Sequence, residues 1–129
     1  MKALALRIFS DLFEAASFLE LRRMPELFCG FGRRPGEGPT LYPIACLPQA
    51  WAAGSVFMLL QAVLGLEVDA VRGQVSFIDP VLPEWLGWLR IENLSVGSGV
   101  VDLLCERHPH DVGISVLRRH GEVRVVHLT

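Results

Sequence analysis

Glu26 is a side chain that could do acid–base chemistry, although its plainer reading is an exposed carboxylate or a loop brace. It follows Pro25 on a stretch otherwise poor in acids, Met24 to Trp51, MPELFCGFGRRPGEGPTLYPIACLPQAW. A carboxylate presented on a loop can accept a proton from water or brace a nearby cation, here Arg22 or Arg23. Around it stand groups that suit a polar ligand. Arg33 and Arg34 offer forked donors, Tyr42 and Trp51 offer aromatic faces with a polar handle, and Gln49 offers an amide. Each has a plainer reading. The arginine pair lacks the spacing of a phosphate-binding loop and no strand precedes it, so it reads as a loop brace or a solvated pair. Gln49 reads as a helix cap, and Trp51, which opens an apolar run, reads as core.

A second constellation, His108, His110 and Asp111, has two metal-ligating side chains flanking a proline. No third ligand is evident and the context is a turn, so no metal site is assigned. Cys29, Cys46 and Cys105 are odd in number and far apart, with no CxxC pair. That pattern argues against a disulfide framework and a zinc site, and for a reducing, cytoplasmic setting.

The elements that must position these residues follow from periodicity. Residues 3 to 22 predict a helix, with Leu4, Ile8, Leu12, Ala16 and Leu19 in one stripe and Leu6, Phe9, Phe13 and Phe18 widening it. A second helix is expected to open near Leu47, with Pro48 in its first turn and Gly65 as its stop. Its body, AWAAGSVFMLLQAVLG, has no charged residue. Two helices this apolar cannot bury all of their surface against each other. The loop between them is long and rich in Gly and Pro, yet Leu27, Phe28, Phe31, Leu41, Tyr42, Ile44 and Leu47 are too apolar for disorder, so it reads as ordered. From Leu66 the pattern becomes strand-like, with turns at Val71–Gly73, Ser95–Gly99, His108–Asp111 and His120–Gly121. It predicts an antiparallel meander of roughly five or six strands. The expected domains are a helical hairpin over 1–66 and an antiparallel β tail over 67–129.

At 129 residues the chain is long enough for a core of its own. Its 51% hydrophobic content is high for a small soluble domain, and its net charge of −2 makes no case for nucleic acid. The apolar start is interrupted by Arg7, Asp11, Glu14 and Glu20, which excludes a signal peptide and a membrane span of about 20 apolar residues.

Taken in order, LELRRMPELFCGF (Leu19–Phe31), RRPGEGP (Arg33–Pro39) and YPIACLPQAWAAGSVFMLLQAVLGL (Tyr42–Leu66) resemble the C-terminal part of bacterial proteins of the glycogen debranching, amylo-α-1,6-glucosidase-like family. PVLPEWLGWLRIENLSVG and VDLLCERH are weaker matches. The resemblance implies an α+β chain: the last helical pair of an (α/α)6 toroid, followed by β structure, with the rest of the toroid lying before Met1. It implies an inverting α-glucosidase chemistry without a cofactor, Glu26 as the general base, and Arg33, Arg34, Tyr42, Gln49 and Trp51 at the sugar-binding end. Inversion needs a second carboxylate as general acid, about 6.5–9.5 Å from the base. By the resemblance it would sit on an earlier helix, so the chain alone is expected to be inactive. The partner would be an α-glucan or small α-glucoside, with neither nucleic acid nor membrane. Two other readings stay open, a non-catalytic carbohydrate-binding module and an assembly piece that self-associates or docks through bare helix faces.

Overall fold

The computed structural model describes residues 2–129 and divides into two compact units, Ala3–Leu60 and Gln61–Thr129, with Lys2 counted with the second. Among the described residues there are two α-helices and two three-stranded sheets, a small α+β fold. It is neither a piece of an (α/α)6 toroid nor a single antiparallel meander, and both expectations are corrected here.

In the first unit, α1 spans Lys2–Ser17, a run free of Gly and Pro. It stops five residues short of the predicted end. Phe18 and Leu19 donate to carbonyls three residues back, and Leu21 and Arg22 then take positive φ (50° and 54°), which no α-helix accommodates. Only part of the predicted stripe is used. Leu12, Ala16 and Leu19 pack with Met24, Phe28 and Ala52, whereas Leu4 and Ile8 remain exposed.

Helix α2 spans Ala50–Leu64. It begins two residues later than Pro48 suggests, because Gln49 is its cap. The Gln49 carbonyl accepts from the Ala53 N–H at 3.0 Å, and its own N–H donates across the loop to the Met24 carbonyl at 3.3 Å. Most of α2 in this unit is uncovered: Ala52 is buried, but Val56, Phe57 and Met58 are all exposed. Three consecutive exposed apolar residues cover more than half the helix circumference, so the bare surface is not a single stripe.

In the second unit α2 ends at Gly65, at φ +58°, where a Cβ would collide with the Ile78 carbonyl oxygen. Only glycine allows both the left-handed stop and that close approach. Strands β1 (Leu66–Asp69) and β2 (Gln74–Ile78) form the predicted hairpin. Strands β3 (Trp88–Val96), β4 (Gly99–Arg107) and β5 (Val112–His120) form an antiparallel sheet with β4 central. The last strand, β6 (Arg124–Leu128), leaves this sheet and pairs parallel with β2, Val75 opposite Val125.

The expected hairpin between β5 and β6 therefore does not form, for two local reasons. Gly121, at φ +74°, turns the chain, and Val123 buries its side chain beside Gly99 at the start of β4, drawing the following residues off the β5 edge. The core gathers Val63, Leu64, Val75, Phe77, Val96, Val101, Leu103 and Cys105, each less than 2% exposed. One acid joins it. The Asp102 carboxylate accepts from Arg118 Nε at 2.8 Å, Arg118 Nη2 at 3.2 Å and the Asn93 N–H at 2.7 Å. It sits where both flanking strand pairings slip register, and it accepts from the Asn93 N–H inside the β3 irregularity.

Candidate functional site

The loop between the helices folds back on itself as an irregular ladder. Gln49 N–H reaches Met24, the Glu26 N–H donates to the Cys46 carbonyl at 2.9 Å, and the Cys29 N–H donates to the Thr40 carbonyl at 2.8 Å, beside a bridge between Phe28 and Leu41. The tip is a turn over Arg34–Glu37, closed by the Glu37 N–H on the Arg34 carbonyl at 3.1 Å, with Pro35 and a positive-φ Gly36 in its centre. That is the residue order a type II turn requires. These rungs give the loop its order, and the apolar residues scattered through it need not be sequestered for that.

Glu26 lies at the base of the ladder and is half-buried. Its Oε2 accepts from the Cys46 N–H at 3.3 Å, so the carboxylate is oriented by the same residue that pairs its backbone. Among the described residues no cation pairs with it, and the brace to Arg22 or Arg23 does not form. A carboxylate held by one amide keeps lone pairs for water or a hydroxyl. Gln49 is one rung away and caps α2 locally, its Oε1 accepting from the Ala50 N–H at 3.0 Å. Trp51, in the next turn, is 61% exposed rather than core, because its apolar neighbours on α2 are themselves uncovered. Tyr42 is 43% exposed on the returning arm, next to the Phe28–Leu41 bridge.

The arginines are not brought to Glu26. They flank the tip, beyond the Phe28–Leu41 rung. Arg33 bonds Glu14 on α1 at 2.9 Å and lies over the Phe18 ring, 5.5 Å from its centroid. A Cβ at Gly38 would come within 2.6 Å of Phe18, so the tip is seated on that ring. Arg33 thus acts as a brace. Arg34 is solvated, 3.9 Å from Glu37. The base of the loop therefore carries Glu26 and Gln49 on neighbouring rungs, with Trp51 two residues further on in α2, while at the tip Arg33 is held against α1 and Arg34 is solvated.

Elsewhere, His108 pairs with Asp111 at 3.0 Å across the β4–β5 turn while His110 points to solvent. Among the described residues no three His, Cys, Asp or Glu side chains are grouped to hold a metal ion. All three cysteines are free, and burial pushes the Cys105 thiol up to about 11. No helix among the described residues is long and apolar enough to cross a membrane. Sequence reasoning missed one cluster. Arg72, Arg119 and Arg124, from three separated segments, line a single open groove of about 420 Å³ in the second unit. Only the parallel pairing of β6 brings them together, and no local pattern in the sequence announces it.

The chain matches no protein-family model, no curated protein and no solved structure.

Proposed function

We propose that this chain is a C-terminal part of a glycoside hydrolase of the glycogen-debranching, amylo-α-1,6-glucosidase-like class. In this reading it contributes the general base, Glu26, and an aromatic lip, Trp51 and Tyr42, to hydrolysis of an α-glucosidic bond. The observation that carries the reading is the state of Glu26. It is half-buried, unpaired with any cation among the described residues, and oriented by the Cys46 N–H within the PELFCGF…YPIACLPQAW stretch on which the resemblance rests. A base that must activate water needs that combination of fixed position and free lone pairs. One carboxylate cannot protonate the leaving oxygen and deprotonate water in the same step, and the resemblance assigns the second, the general acid, to an earlier helix outside residues 1–129. Three unpaired thiols favour a reducing compartment, the cytoplasm.

The test has two arms. Incubated with α-1,6- and α-1,4-linked glucans, the chain alone should release no glucose. Release that disappears in Glu26→Gln would overturn the claim that the acid lies elsewhere. In the second arm a short α-glucan should bind the chain weakly but saturably, and Trp51→Ala should weaken it several-fold through lost ring contact. Absence of any glucan binding would remove the carbohydrate reading.

The uncovered faces of α1 and α2 favour a second reading, assembly. Leu4, Phe13, Phe57 and Met58 are all more than half exposed, an apolar surface that isolated proteins rarely leave in water. The two readings are compatible: the part that supplies the acid could also cover these faces.

A further inference from the structure

We propose that the groove between the β1–β2 turn and the β5–β6 connection binds a small phosphorylated, hydroxyl-bearing molecule through Arg119 and Arg124, with Arg72 at its rim. The inference does not rest on the carbohydrate reading of Glu26, because every residue it uses lies in the second unit.

Charge is the first argument. The molecule carries a net −2 and has one lysine, yet three arginines converge on this groove against one carboxylate, Glu122. Arg72 is partly neutralised by Asp69 at 3.5 Å. Among the described residues Arg119 and Arg124 have no ion-pair partner, unlike Arg33, Arg90 and Arg118, each held at 2.8–2.9 Å by an acid. Two arginines without ion-pair partners lining one concavity favour an anion that accepts from both forks, and a phosphate group has the oxygens to do so.

Shape is the second argument. A volume of about 420 Å³ falls in the range of small-molecule sites, roughly 300–1,000 Å³, and exceeds what a bare phosphate fills. Gly73 and Gly121 line the groove at positive φ, and the space a Cβ would take there is filled by the Glu122 carbonyl oxygen and by Gly99, so this wall is closely packed backbone. Their positions are fixed by the fold: the Arg124 N–H donates to the Gly73 carbonyl at 2.8 Å. Glu122 repels a ligand that is anionic throughout but accepts hydrogen bonds from hydroxyls. Phosphate at the arginines and hydroxyls at Glu122 describe a sugar phosphate better than a polyanionic strand.

Calorimetric titration of the full chain with inorganic phosphate, glucose 6-phosphate and ADP tests this at low salt. Glucose 6-phosphate should bind more tightly than inorganic phosphate, and ADP no better than glucose 6-phosphate. Arg119→Ala/Arg124→Ala should weaken binding about tenfold or more per fork removed, while Arg107→Ala, which removes an unpaired arginine outside the groove, should change nothing. Both targeted side chains are exposed, so near-UV circular dichroism should be unchanged. Arg119→Lys/Arg124→Lys should keep a salt-sensitive attraction but lose most of the affinity. Glu122→Ala should tighten inorganic phosphate and shrink the preference for the sugar ester. No saturable binding of any probe, equal loss in Arg107→Ala, or a Glu122→Ala variant indistinguishable from the parent would each overturn the proposal. ADP as the tightest ligand would overturn the sugar-phosphate assignment.

Discussion

Replacing Phe57 by Glu and Met58 by Lys together asks whether the bare flank of α2 is a covered surface in the working protein. Phe57 is 74% and Met58 70% exposed. A phenylalanine presents roughly 200 Å², so about 150 Å² of Phe57 is open, and Met58 adds a similar area. Covering about 300 Å² would contribute on the order of 7 kcal/mol at roughly 25 cal/mol per Å², an upper figure. Even a third of that shifts an association constant about fiftyfold. In the isolated chain the same two changes touch no buried contact and replace residues with good helix formers, so folding should move by less than about 0.5 kcal/mol. Light scattering across a concentration series, with binding of an apolar dye, reads both effects. The parent chain should associate and bind dye, and the double variant should stay monomeric, bind little dye and melt at the same temperature. A parent that is monomeric and dye-silent at all concentrations would refute the reasoning. So would a double variant that melts far below it, because then Phe57 and Met58 would be internal.

Three further outcomes follow from the second unit and the loop. Gly65→Ala should cost at least about 2 kcal/mol, since it strains a positive φ and drives a methyl into the Ile78 carbonyl, and denaturant titration would measure it. Asp102 is held below the usual carboxylate range, first by its hydrogen bond from Arg118 and then by the Asn93 N–H. A depressed native pKa contributes stability that is present above about pH 4 and lost as pH falls through the folded value. The acid limb of the stability profile should therefore flatten in Asp102→Asn, and an unchanged limb would count against the bridge. In the folded chain a thiol reagent should modify exposed Cys46 first and Cys29 more slowly, and should reach Cys105 only on unfolding, because burial keeps that thiol protonated at neutral pH. Mass spectrometry of the labelled protein would read the order.

What was legible in the sequence was mostly local. The two helices were visible from long apolar runs free of proline, with Gly54 the one glycine inside them, and the β1–β2 and β3–β4 turns from Gly73 and Gly97, which take positive φ in the structure. The end of α1 was not visible, because Leu21 and Arg22 adopt a conformation that neither residue type advertises. The strand EVRVVHL was legible as a strand but not its partner. Its alternation fits the edge of β5 as well as that of β2, and the choice is made by Val123 packing near Gly99. The site divides the same way. An ordered loop is what its apolar content suggests, but Leu27, Phe31, Leu41, Tyr42, Ile44 and Leu47 are exposed and the order comes instead from backbone rungs. The exposure of Trp51 was not legible, because an apolar neighbourhood reads as core only if something covers it, and here nothing among the described residues does. The arginine groove was invisible for a third reason, that its members meet only through the crossover to β6.

Packing and chemistry in the first unit lead to the same requirement. Under the proposed function Glu26 needs a proton donor on the opposite face of a sugar, about 6.5–9.5 Å away, and water must otherwise be kept from the bond being broken. Tyr42 and Trp51 lie open to solvent and Glu26 is only half-buried, on a unit whose helices also lie open. A partner that covered only the helices would stabilise the unit and leave the carboxylate idle. One that supplied only an acid, without covering α2, would lack the apolar area to hold the two carboxylates at a fixed distance. The economical arrangement is one body that does both, seated on α2 close to the base of the loop. It makes a specific demand: Phe57→Glu/Met58→Lys should abolish hydrolysis in the assembled enzyme as completely as Glu26→Gln, while leaving glucan binding by the isolated chain intact. Activity that survives the helix variant but not the Glu26 variant would separate the two roles and give the apolar faces a different purpose.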